Sequence, residues 1–145
     1  MNNIKIRNGS FEEIQRISKE IPEFTDNYSI EDYQKRIGNK PQQALIASVD
    51  NQFVGFKLGY ISGDHFYSWL GGVIPDYRKK GIAKLLAAEQ EKWVRKHDIE
   101  KIRFKTLNRF KGMLIFALKN GYQIKGTEPF EQENTIKIIL EKQLK

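Results

Sequence analysis

The stretch Val73-Ile-Pro-Asp-Tyr-Arg-Lys-Lys-Gly-Ile-Ala-Lys-Leu-Leu86 carries the clearest structural signal in the sequence. It predicts a strand that ends at Pro75, because proline cannot donate a ladder hydrogen bond, then a basic loop and an amphipathic helix from Gly81 or Ile82. The first N–H groups of a helix have no partner within it and together carry partial positive charge. Such a turn binds phosphate groups, and Gly81 would let an anion approach the backbone closely.

The charge distribution points to the same part of the chain. The net charge is +7, and the segment 78–111 holds twelve Lys and Arg residues against four acids. The remaining residues carry 13 bases and 14 acids and are close to neutral. A positive field confined to one third of the chain favours a polyanionic partner, namely a phosphorylated cofactor, nucleic acid or an anionic membrane.

The composition limits the classes of protein that fit. A chain of 145 residues with 39% hydrophobic residues is expected to form a single domain over residues 1–145. It contains no apolar run long enough to span a membrane, and its start lacks the apolar core of a secretion signal, so a cytoplasmic location is expected. With no cysteine and only two histidines, no metal site is predicted.

Hydrophobic periodicity predicts a strand, two helices, three strands, a helix, a strand, a helix and two strands. Because the third strand of the central group is followed by a helix and another strand, those two strands should be parallel. The preceding strands should pair as an antiparallel meander, which makes the sheet mixed and the fold class α+β. The predicted strands cover residues 4–7, 43–49, 52–61, 66–74, 101–107, 122–127 and 135–140; the predicted helices follow Ser10 and Ser29 and cover residues 81–97 and 109–120.

The basic loop Arg78-Lys79-Lys80-Gly81-Ile82-Ala83 resembles the Arg/Gln-x-x-Gly-x-Gly/Ala signature of the GNAT N-acetyltransferase superfamily. Further matches are Val73-x-Pro75 and Tyr77 before the loop, Leu86 after it, Asn108 after a strand, and the pair Gly121-Tyr122. The resemblance implies a GNAT-like fold, with a mixed, mostly antiparallel sheet of about seven strands flanked by four helices. It also implies an N-acetyltransferase that moves an acetyl group from acetyl-CoA to a primary amine by direct attack in a ternary complex.

The resemblance further implies where the coenzyme would bind. Its pyrophosphate would lie on the basic turn, and its pantetheine arm would fill a gap beside Gly71-Gly72, where the family strand carries a bulge. The alternative is that these glycines make room for Trp69 and Phe66. Asn108 is either a pantetheine contact or a helix N-cap, Phe116 would pack on the cofactor, and Lys119 would face its phosphates. The expected cofactor contacts are Val73, Ile74, Arg78, Lys79, Lys80, Gly81, Ile82, Ala83, Lys84, Asn108, Phe116 and Lys119.

The catalytic groups are harder to identify. The backbone N–H of Val73 or Ile74 is the expected donor to the thioester oxyanion. The strand before the signature loop lacks the glutamate of many family members, which leaves His65, acting through a water, as a candidate base. Where many members carry a tyrosine acid, this chain has Ala117, so positioning with water as the proton carrier would supply most of the rate.

The acceptor is expected to be a small-molecule or peptide amine. Aromatic residues of the early helices and the meander are candidates for its binding wall, although each is equally explained by packing. Two other functions stay open: a GNAT-fold protein that binds CoA without catalysis, and a nucleic-acid-binding module. No recognised nucleic-acid-binding motif supports the latter. Dimerisation through the last strands is left open. The candidate wall residues are Phe24, Tyr28, Tyr33, Tyr60 and Trp69.

Overall fold

The computed structural model describes residues 3–24 and 27–145. The order of elements is the predicted one. The strands are β1 (Ile4–Asn8), β2 (Gln42–Val49), β3 (Gln52–Ser62), β4 (His65–Val73), β5 (Lys101–Leu107), β6 (Gln123–Phe130) and β7 (Thr135–Gln143). The helices are α1 (Phe11–Ser18), α2 (Ile30–Ile37), α3 (Ile82–Lys96) and α4 (Lys111–Lys119), with short 3-10 turns at Pro75–Tyr77 and Glu131–Glu133.

Local sequence signals explain where α1 and α2 begin. Ser10 and Glu13 form a capping box at the start of α1, and Ser29 and Asp32 form one at the start of α2. Each serine accepts from the third backbone N–H of its helix while the acid accepts from the N-cap N–H, so two otherwise unpaired donors are satisfied. Helix α1 ends at Ser18, four residues before Pro22.

The seven strands form one sheet in the order β1-β2-β3-β4-β5-β7-β6. Only the β4–β5 pair is parallel, and the other pairs are antiparallel. The expectation of a mixed, mostly antiparallel α+β fold is therefore confirmed. Among the described residues, no helix is long and apolar enough to cross a membrane.

The helices cover the two faces of the sheet unequally. Helices α1 and α2 pack on one face, where Ile14, Ile17 and Tyr33 meet Phe56 of β3 in the main core. Helices α3 and α4 lie on the other face. Val94 of α3 contacts Ile102 of β5, and Ala117 of α4 clusters with Phe104, two residues further along that strand, so both helices share a face. On the first face, α1 contacts β2 and β3.

Candidate active site

The basic turn before α3 is open. Lys79 and Gly81 adopt left-handed backbone conformations, with φ of 62° and 87°. Leu85 is the first residue of the helix whose N–H donates to a backbone carbonyl, that of Gly81 at 3.1 Å. Among the described residues, the N–H groups of residues 79–84 have no protein acceptor. A Cβ placed on Gly81 would meet nothing within 4 Å, so this cluster of donors faces open space.

Three lysines surround these donors. Lys79, Lys80 and Lys84 are exposed, and Ile82 is buried and anchors the first turn of the helix against the sheet. Partial positive charge from the helix and full positive charge from the lysines therefore coincide, which is the electrostatic arrangement that a diphosphate requires.

Arg78, which we predicted to bind the pyrophosphate together with these lysines, makes hydrogen bonds within the protein instead. Its guanidinium donates to both carboxylate oxygens of Glu23, at 2.8 and 3.0 Å, and its Nε donates to the carbonyl of Val73 at 2.9 Å. Its own N–H donates to the carbonyl of Pro75. The hydrogen bond from Arg78 lowers the pKa of the Glu23 carboxyl. Arg78 therefore braces the end of β4 against the segment that follows α1.

A gap separates most of β4 from β5. The two strands share only two residue pairs, Phe66–Ile102 and Tyr67–Arg103. Beyond them the strands do not pair with each other up to Val73 and Leu107, so the gap has its vertex after Tyr67 and opens towards the basic turn. At about 3.3 Å per residue, the edge of β4 from Ser68 to Val73 is roughly 17 Å long.

The β4 edge presents backbone donors to this gap. Ile74 donates its N–H to the carbonyl of Val54 at 2.9 Å, which makes the pair Val73–Gly55 a non-hydrogen-bonded one. The N–H of Val73 therefore points away from β3, and so does that of Gly71, two residues earlier. The expectation that Ile74 could serve as an oxyanion donor is wrong, because its N–H is already used within the sheet.

The bulge in β4 lies at Trp69, because Leu58 pairs with Leu70 and Gly59 with Ser68. The two adjacent glycines, Gly71 and Gly72, instead allow other side chains to pack closely against the β4 backbone. A Cβ on Gly72 would lie 2.9 Å from Cδ1 of Ile21, so this glycine accommodates the segment after α1. β4 therefore carries the bulge that the resemblance implies, two residues before Gly71. The alternative that the glycines make room for Trp69 and Phe66 is wrong, because neither side chain lies near them.

An aromatic cluster covers the α1/α2 face of β3 and β4 beside the gap. We call it the aromatic wall, and ring centroids of neighbouring members lie 5.1–6.4 Å apart. Burial raises the pKa of both Tyr33 and Tyr67. Phe24, which the sequence also proposed, packs on Phe56 in the core instead. The wall consists of Tyr28, Tyr33, Tyr60, Tyr67 and Trp69.

His65 lies at the wrong end of β4. It pairs with Ser62 beside the turn, and Val73 lies eight residues further along the strand, roughly 26 Å away. Its Nδ1 lies 3.0 Å from the carboxylate of Asp64, whose pKa is lowered to about 2 by hydrogen bonds from His65 and Lys101. A base acting through one water at the Val73 end of the strand is therefore excluded for His65.

The residues expected on the β5–α4 side belong to α4 and to the loop that follows β5. The N-cap of α4 is Phe110, without a side-chain cap, so the alternative role of Asn108 as an N-cap is wrong. The Asn108 side chain instead accepts from Nζ of Lys111 at 3.3 Å. Phe116 is half-buried and Lys119 is exposed, and Ala117 is buried against β5 and β7.

Comparisons with known proteins agree with this architecture. A model of the acetyltransferase (GNAT) family matches residues 11–122. An acetyltransferase of Pectobacterium atrosepticum is 33% identical over 61 residues, which are 42% of this chain and 43% of that protein. The chain belongs to the GNAT acetyltransferase family.

Solved structures share the whole fold at low sequence identity. Ard1 from Thermoplasma volcanium superposes with a TM-score of 0.84 at 18% identity, covering 98% of both chains. The PaiA N-acetyltransferase from Thermoplasma acidophilum, solved in complex with coenzyme A, superposes with a TM-score of 0.77 at 22% identity, covering 97% of this chain and 99% of that one. At such identities the likeness establishes the fold.

Proposed function

We propose that the protein is an N-acetyltransferase that moves the acetyl group of acetyl-CoA to a primary amine in a ternary complex. The observation that carries the proposal is the open run of backbone donors at residues 79–84, placed at the mouth of the β4–β5 gap. Membership of the GNAT acetyltransferase family supports the reaction class, and the PaiA protein with its bound coenzyme A supports the cosubstrate.

The coenzyme would follow the gap. Its pyrophosphate would accept hydrogen bonds from the backbone of residues 79–84 and gain from the nearby lysine charges. Its pantetheine arm would lie along the edge of β4 and pair with the exposed N–H of Val73, as an added strand does. The thioester would then lie towards the vertex of the gap, with Asn108, Phe116 and Lys119 on the opposite side of the arm.

The chemistry needs a donor for the developing oxyanion and a route for the amine. The N–H of Gly71, the exposed donor nearer the vertex, is directed into the gap and held by the sheet, so it costs little reorganisation when charge develops on the thioester oxygen. The amine would approach from the face that carries the aromatic wall, because α3 and α4 cover the other face. Water would accept the proton that the amine loses.

Arg36 gives this wall a charge preference. Its Nε donates to the hydroxyl of Tyr60 at 2.9 Å, and its guanidinium lies 4.7 Å from the ring centroid of Trp69. Among the described residues, five of the seven arginines form ion pairs with glutamates, whereas Arg36 and Arg16 form none. A fixed guanidinium with uncommitted N–H groups suits a carboxylate, so we propose acceptors that carry a carboxylate in addition to the amine.

Arg36→Gln should raise KM for an amine that bears a carboxylate by roughly tenfold or more, since a hydrogen bond to a charged group contributes about 1.5–3 kcal/mol. KM for the matching carboxamide should change little. Arg16→Gln is the matched control, because Arg16 also lies over an aromatic ring, that of Phe53 at 5.5 Å, which is not part of the aromatic wall. Steady-state kinetics with the acid and amide pair would contradict the assignment if Arg36→Gln affected both acceptors equally.

The function itself is tested by calorimetric titration with acetyl-CoA, CoA and dephospho-CoA, followed by an amine screen that detects the released thiol. We expect saturable binding of acetyl-CoA and thiol release only in the presence of an acceptor. Binding without turnover for any amine would favour a GNAT-fold protein that binds CoA without catalysis. Absence of coenzyme binding would refute the proposal.

A further inference from the structure

Lys57 is an unusual residue for its position in the sheet. It is the only charged residue of β3, a strand otherwise built from apolar residues, glycine, Gln52 and Ser62. Its side chain points to the α3/α4 face, opposite to the aromatic wall. A charged group taken out of water costs free energy unless it is paired and hydrogen-bonded, so a lone lysine in an apolar strand is the signal from which this residue could have been predicted.

The path of the side chain explains Gly71. A Cβ on Gly71 would lie 3.1 Å from Cγ of Lys57, so the lysine stem runs directly over that glycine. The Nζ atom then donates to Oγ of Ser68 at 3.3 Å. Ser68 follows Tyr67, the last β4 residue that pairs with β5. The amine of Lys57 therefore lies at the vertex of the gap, on the face opposite to the wall.

The surroundings of Lys57 lower the pKa of its ammonium group. Burial lowers its pKa from 10.5 to about 8, and the negative charge of Glu91 on α3 opposes this effect. Glu91 is itself neutralised by Lys142 of β7 at 2.8 Å and by Arg95 of α3 at 3.7 Å. Among the described residues, no carboxylate forms an ion pair with Lys57. Its ammonium form can therefore release a proton in the range where a thiol, with a pKa of about 8.5, takes one up.

We propose that Lys57 is the general acid that protonates the coenzyme sulfur as it leaves, an inference that rests on the proposed function. The acceptor nitrogen forms a bond to the acetyl carbon, the carbon–sulfur bond breaks, and Nζ of Lys57 gives its proton to the sulfur. The proton lost by the acceptor nitrogen returns to Lys57 through water, so the products are the N-acetyl amine and the free thiol. Lys57 thus supplies the acid that Ala117 cannot supply on α4.

The test compares Lys57→Met and Lys57→Arg with the wild type in pH profiles of kcat. The wild type should lose activity as the pH rises through about 8, because the ammonium form is the active one. Both variants should turn over roughly a hundredfold more slowly, in the lower range of general acid–base catalysis, and should lack this basic limb. Arginine keeps the positive charge but does not release its proton. If Lys57→Arg is as slow as Lys57→Met, the role of Lys57 is therefore proton transfer and not charge stabilisation.

Two further variants keep the result decisive. Gly71→Ala keeps Lys57 but crowds its stem, because the added Cβ would lie 3.1 Å from Cγ of Lys57. It should therefore lower kcat, and this result does not depend on the folding of the Lys57 variants. Lys101→Met removes another half-buried lysine, which pairs with Asp64 and not with Glu91, and should keep the basic limb. An unaltered basic limb in folded Lys57→Met or Lys57→Arg would overturn the role of Lys57. A wild type that binds no coenzyme or releases no thiol would instead refute the proposed function.

Discussion

Gly81→Glu is expected to weaken the binding of CoA by at least about a hundredfold, because hydrogen bonds to charged groups contribute about 1.5–3 kcal/mol each and more than one would be lost. Gly81 is the N-cap of α3, with φ of 87°, a conformation that a side chain strains. A carboxylate there would also repel the pyrophosphate from the same point. Calorimetric titration of the variant with CoA measures the effect directly.

Gly63→Glu is the matched control for strain and charge. Gly63 has φ of 64° and, like Gly81, nothing within 4 Å of an added Cβ. It lies in the turn between β3 and β4, at the end of β4 away from the basic turn, so the variant should keep its affinity for CoA. Equal affinity in Gly81→Glu and the wild type would show that the diphosphate binds elsewhere.

Gly59→Ala should be the most destabilising single methyl addition in the sheet. A Cβ at this position would lie 2.4 Å from Cε2 of Phe66 and 2.6 Å from the carbonyl oxygen of Tyr67. The phenyl ring is fully buried and the carbonyl belongs to the backbone of β4, so neither can move aside cheaply. Overpacking of this kind costs about 1–3 kcal/mol of the free energy of unfolding, and the backbone contact favours the upper end.

Gly126→Ala on β6 provides the comparison, since the same methyl group would meet nothing within 4 Å there. That variant should be neutral or more stable than the wild type by about 0.4–1 kcal/mol, because alanine restricts the unfolded chain. Urea titrations would show the difference as a shift in midpoint at constant slope. A Gly59→Ala midpoint equal to that of Gly126→Ala would contradict the packing described around Phe66.

The order of elements and the basic turn could be predicted because their causes are local. The capping box at Ser10, the proline at position 75 and the glycine at position 81 act through neighbouring residues, and periodicity identifies strands and helices over a few turns. The parallel pairing of β4 and β5 followed from a general rule about the handedness of crossovers. Each of these predictions needed only the residues within one or two elements.

The site could be predicted only in part, because distant contacts decide it. Arg78 was expected on the phosphate, but Glu23, 55 residues earlier, holds its guanidinium. The N–H of Ile74 was expected to be available, but sheet register gives it to Val54. His65 was expected to act beside Val73, but the length of β4 separates the two residues. No short-range pattern in a sequence specifies register, strand length or which long side chains meet.

The two shared residue pairs of β4 and β5 also have a thermodynamic consequence. They leave the sheet as two ladders, one of four strands and one of three, with a seam where backbone groups lack their usual partners. A ligand that fills the seam completes the hydrogen bonding of the native state. The unfolded chain has no such seam and does not bind the ligand. Occupancy and folding are therefore linked, and the protein gains stability in proportion to the logarithm of ligand concentration above its Kd.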